Sequence, residues 1–103
     1  MKVNFTKESA FATLENLKYD KEFLKDAEKL ANEVLQNKGY IFLNEVLSNL
    51  GIKLVKRGQL DGWIYDELDS EKKGVVKFRV KEENGEIILN FNEEKDIIDY
   101  VFN

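Results

Sequence analysis

Five carboxylates crowd residues 61–71, at Asp61, Asp66, Glu67, Asp69 and Glu71. Paired acids are the raw material of acid–base hydrolysis or of a hard-cation site. Their spacing does not build an EF-hand loop, which needs acids at alternate positions, a central glycine and a distant glutamate. The chain has no histidine and no cysteine. That composition excludes thiolate and imidazole zinc sites, Ser-His-Asp and Cys-His nucleophiles, and histidine pH switching. The glycines at 39, 51, 58, 62, 74 and 85 stand alone, and none precedes a Lys-Ser or Lys-Thr pair, so no phosphate-cradling loop is present. The acidic cluster reads as a solvated loop. No enzymatic activity, cofactor or metal is expected.

Binding chemistry is better represented. Trp63 and Tyr65 lie close together in a glycine-flanked run, and Lys77, Arg79 and Lys81 alternate so that a strand would carry all three on one face. Basic residues interleaved with aromatics are how sheets hold single-stranded nucleic acid. An open strand edge beside tryptophan and tyrosine anchors is equally how a protein partner is held. A third reading puts Trp63 and Tyr65 in the core and leaves the basic stripe merely solvated. The formal net charge of −4 weighs against nucleic acid. Leu50-Gly51-Ile52 followed by Lys53, Lys56 and Arg57 imitates a helix-turn-helix. However, Leu54, Val55, Gly58 and Leu60 occupy the positions that would read bases. The sequence thus points to a protein-interaction module using Trp63, Tyr65, Lys77, Arg79 and Lys81. Nucleic-acid binding through the basic face is the alternative, and a carboxylate enzyme or divalent-cation binder comes third. The partner and the oligomeric state are not written in these residues.

The elements that must position them form one α+β domain over residues 1–103, a length that suffices to bury about 60–70% of the unfolded surface. Helices are expected over 7–18, capped by Thr6, over 20–38 and over 42–50. The second has the clearest stripe, from Phe23 and Leu24 to Val34 and Leu35, with Asp20 as its N-cap and Gly39 placed to end it. Residues 52–57 fit either a strand or a helix start, and Met1, Val3 and Phe5 alternate as in a short edge strand or a tail. Aromatic and β-branched residues favour a strand over 60–66. Asn84-Gly85 signals a type I′ hairpin joining strands at 75–81 and 86–92, with Val80 facing Leu89 and Phe78 facing Phe91. A short C-terminal helix follows, with Asn92 as candidate cap. The expected architecture is a three-stranded antiparallel meander with helices packed on its apolar face.

Gly39-Tyr40-Ile41-Phe42-Leu43-Asn44-Glu45-Val46, then Leu50-Gly51, Gly58-Gln59, Gly62-Trp63 and Leu89-Asn90-Phe91-Asn92 follow one another along the chain. This series resembles a family of small uncharacterised proteins encoded by phages, prophages and conjugative elements of Gram-positive bacteria. The resemblance spans roughly residues 20–100 and implies a mobile-element origin, in keeping with the Lys- and Asn-rich composition. It implies no activity. The N-terminus lacks the apolar stretch of a secretory leader, and the longest apolar run, Tyr40 to Leu43, is far short of a membrane span. A cytoplasmic location is the expectation.

Overall fold

The computed structural model describes residues 1–65, 75–92 and 94–102. Along them run β1 (Lys2–Asn4), α1 (Phe5–Glu8), α2 (Leu17–Lys38), β2 (Tyr40–Phe42), α3 (Leu43–Asn49) and a 3-10 turn (Lys56–Gln59). β3 (Asp61–Ile64), β4 (Phe78–Glu83), β5 (Glu86–Phe91), β6 (Lys95–Asp96) and α4 (Ile98–Phe102) complete the order. Helices and small antiparallel sheets share one core, which is the α+β class.

Turn chemistry and hydrophobic pattern agree at the hairpin. Asn84 and Gly85 take φ of +53° and +79°, the type I′ geometry whose twist matches that of the flanking strands. Phe78 then stands opposite Phe91 and Val80 opposite Leu89, the register that a two-residue turn demands. Phe78, Ile87, Leu89 and Phe91 are buried.

The third strand of this sheet is not the one expected. Its order is β1-β5-β4, with Val3 opposite Leu89, so β5 is central and β4 is an edge. The weak alternation at the N-terminus is therefore a strand, and it buries Val3 and leads into the buried Phe5. β3 instead centres a second sheet, β2-β3-β6, with Trp63 opposite Ile41 and Gly62 opposite Phe42. Gly62 explains the fit, because a Cβ there would stand 2.1 Å from the Ile41 carbonyl oxygen and 2.9 Å from the Phe42 Cα. The backbones approach more closely than any other residue would permit. The meander over 60–66, 75–81 and 86–92 gives way to two three-stranded sheets.

Among the helices, α2 and α3 confirm the expectation over 20–38 and 42–50 with small changes of boundary. Gly39 ends α2 in the left-handed region (φ +88°), its N–H donating to the Leu35 carbonyl at 2.7 Å. The N-cap is Asn16, whose side-chain oxygen accepts from the Tyr19 N–H at 3.0 Å, and not Asp20. Residues 7–18 do not form one helix. Asn4 caps the four-residue α1, and the Thr6 hydroxyl accepts from the Ile87 N–H at 2.8 Å. Beyond α1 the chain is tied elsewhere, for Ala10 N–H donates to the Gly51 carbonyl at 2.8 Å and Leu14 holds φ +67°. A left-handed leucine is incompatible with a continuing helix. The 52–57 segment enters the 3-10 turn rather than a strand or an α-helix. α4 begins later than Asn92, its first N–H (Ile98) donating to the Asp96 carboxylate at 3.0 Å.

Candidate interaction surface

Strand alternation gives the first sheet an inner face on the core and an outer face of polar rows. Lys2, Asn90 and Arg79 form one row across the three strands, and Asn4, Ile88 and Lys81 the next. Lys77 continues the line beyond β4. Its carbonyl accepts from the Asn92 N–H at 2.9 Å, and its own N–H donates to the Asn92 side-chain oxygen at 2.7 Å. Lys2, Lys77, Arg79 and Lys81 are all exposed, so this face carries four cations around the half-buried Ile88. At the hairpin end the sign reverses. Lys81 meets Glu83 at 3.0 Å and Lys7 meets Glu86 at 3.5 Å. The hydrogen bond and charge of Lys81 hold the Glu83 carboxyl below its ordinary pKa, with a smaller contribution from Lys2.

Of the five side chains expected to act together, the fold brings three to one face. Lys77, Arg79 and Lys81 share it, whereas Trp63 and Tyr65 belong to the other sheet's strand and its end. Trp63 is only 2% exposed and packs edge-on against Phe91, ring centroids 6.4 Å apart. The expectation of Trp63 as a surface anchor is corrected here. β3 turns this side chain onto the apolar face of the first sheet, where Phe91 receives it. Tyr65 is half-buried against the core, with its N–H donating to the Gly39 carbonyl at 3.0 Å. The hairpin register already placed Ile88 opposite Lys81 on this face, whereas sequence reasoning missed Lys2, although the 1–5 alternation was the signal that could have placed it.

The β4 edge adds a second feature. Register makes Lys77, Arg79, Lys81 and Glu83 the residues that bond to β5, so Phe78, Val80 and Glu82 direct their backbone groups outward. α2 covers the start of that edge. Asn32 both accepts from the Val76 N–H and donates to its carbonyl, each at 2.8 Å, and the Glu28 carboxylate accepts from the Phe78 N–H at 2.7 Å. Past Phe78 the cover is an ion pair between side chains alone, Lys21 of α2 with the Glu82 carboxylate. Next to Val80, which is 41% exposed, a groove of about 360 Å³ opens, lined by Lys21, Leu24, Lys25, Glu28, Phe78 and Val80.

The remaining candidates do not assemble. Of the carboxylate cluster, Asp66, Glu67, Asp69 and Glu71 lie outside the described residues. Asp61 pairs with Arg57 at 2.8 Å, and Arg57 also reaches Asp96 at 3.5 Å. Arg57 is thereby engaged with acids, and the four-residue 3-10 turn that carries it is no recognition helix. Among the described residues no group of three potential ligands converges on a metal position, and no helix is long and apolar enough to cross a membrane.

The chain belongs to a family of unknown function (DUF6353), whose model matches residues 4–101. No curated protein and no solved structure matches it.

Proposed function

We propose that this protein is a non-enzymatic interaction module that docks a protein partner on the outer face of the β1-β5-β4 sheet. The observation that carries the reading is the cationic group Lys2, Lys77, Arg79 and Lys81, exposed around an apolar centre at Ile88. An apolar centre rimmed by charge is the usual anatomy of a protein-binding patch. Single-stranded nucleic acid is the second reading, favoured by the same cations. The aromatic platforms that stack bases are missing from these rows among the described residues, and the net charge is −4. A mobile-element origin and a cytoplasmic site of action belong to the same proposal. The series of motifs from Gly39 to Asn92 and the Lys- and Asn-rich composition support the origin. Gene neighbourhoods of family members would test it, and neighbours drawn from ordinary metabolism would contradict it.

The functional test reverses the face. A Lys77→Glu, Arg79→Glu, Lys81→Glu variant should melt close to the unmodified protein and lose a partner that the latter retains. An unchanged set of retained partners would contradict the reading. Oligonucleotide binding at about 50 mM salt that weakens linearly with log salt would move the function to nucleic acid.

A further inference from the structure

We infer that the groove between β4 and α2 receives a short extended peptide of alternating apolar and acidic residues, which joins the sheet as a further strand beside Val80 and Glu82. The inference rests on the interaction-module reading and specifies where and what such a module binds.

Three observations meet at this edge. The type I′ turn and the Asn92–Lys77 hydrogen bond fix the parity of the ladder, so the N–H and C=O of Val80 and Glu82 point away from β5. None of these groups has a hydrogen-bond partner among the described residues. α2 also treats the adjoining edge as a strand would, with Asn32 and Glu28, one helical turn apart, answering the backbone at Val76 and Phe78. Protein edges are normally hidden or blunted. This one has its backbone groups answered at one end and left free at the other, where only the exposed Lys21–Glu82 ion pair crosses from α2. Finally, the free stretch opens into a groove with Leu24, Phe78 and Val80 as its apolar wall. Its volume of about 360 Å³ holds a few residues of extended chain, not a domain.

Charge selects the occupant. A strand added beside β4 alternates its side chains between the same two faces as β4 itself. Side chains turned inward meet Leu24 and Val80 and should be apolar. Those turned outward stand beside Arg79 and Lys81 and should be acidic, since opposite charges across neighbouring strands attract. Lys81 already holds Glu83 at 3.0 Å on this face, which shows that a carboxylate is accepted there. On the helix side Lys25 is exposed and has no carboxylate partner among the described residues, which adds to the preference for a negative peptide.

An acetylated, amidated heptapeptide of alternating valine and glutamate is the probe, titrated into the isotopically labelled full chain and followed by amide NMR. Binding should shift the Val80 and Glu82 amides most and slow their hydrogen exchange. An Arg79→Glu, Lys81→Glu variant should weaken it by about tenfold, and the matching valine–lysine peptide should recover that loss on the variant. Val80→Pro should abolish binding, because it removes an outward-pointing donor while leaving the β5 ladder intact. Absence of shifts at Val80 and Glu82 at millimolar peptide overturns the inference, whatever the face-reversed variant does to partner capture. So does a concentration-dependent change at these amides without peptide, which would make a second copy of the chain the occupant.

Discussion

A carboxylate with no atom in water must replace its hydration with hydrogen bonds, and Asp20 is in that position at 0% exposure. Its two oxygens lie 3.1 and 3.4 Å from the Thr13 backbone nitrogen, so the side chain pins the 9–16 segment to the first turns of α2. Asp20→Ala should cost about 1 kcal/mol in chemical denaturation and speed amide exchange at Thr13. Unchanged exchange there would contradict the pinning role. Gly62 has a steeper requirement, since any Cβ meets the Ile41 carbonyl. Gly62→Ala should destabilise by about 3 kcal/mol, at the upper end for an overpacked site. Glu83 supplies a pH test on the surface. Its folded pKa is depressed, so the Lys81 contact acts above the ordinary glutamate range and is lost as pH falls through the lowered value. An NMR titration should place the Glu83 midpoint below the ordinary glutamate value, and Lys81→Ala should return it upward. Asp20 and Gly62 are visible in the sequence as residues, but their roles depend on neighbours far along the chain. Asp20 accordingly reads there as a cap.

Among the elements, the β4–β5 hairpin and α2 are legible because each carries its own instructions. Asn84-Gly85 fixes a register that the apolar alternation repeats, and the Phe23–Leu35 stripe ends at a glycine able to take φ +88°. The 7–18 helix fails because Phe11 and Leu14 have helical spacing without a helical role. Leu14 is 69% exposed, while Phe11 packs its ring on Phe23 and against Gly51. Periodicity also says nothing of which strand lies beside which, so β1 joins the sheet at β5, the side of β4 expected for 60–66 stays an edge, and Trp63 goes inside. The clamp between α2 and β4 is equally hidden, since Asn32 and Val76 are 44 residues apart. Asn32→Ala leaves both backbone groups of Val76 without their partners and should cost about 1–3 kcal/mol. Loss of protection should appear first at Val76, and a uniform loss across the chain would argue against a local clamp.

For the whole molecule, the consequence of this topology is a division of labour between the faces of one sheet. Phe91, Leu89 and Val3 close the core from within, while Lys2, Arg79 and Lys81 stand outward beside an edge that α2 covers only in part. Alternation alone marks the basic stripe as one face of a strand, whereas the edge, the groove and the row from Lys2 arise only when distant segments pack together. Amide hydrogen exchange of the free protein, read residue by residue along β4, tests this arrangement most directly. Arg79, Lys81 and Glu83, bonded to β5, should exchange slowly, as should Phe78 beneath Glu28, while Val80 and Glu82 should exchange fast. Equal protection at Val80 and Glu82 would mean that another strand already lies against β4, and both the open edge and the docking groove would be wrong.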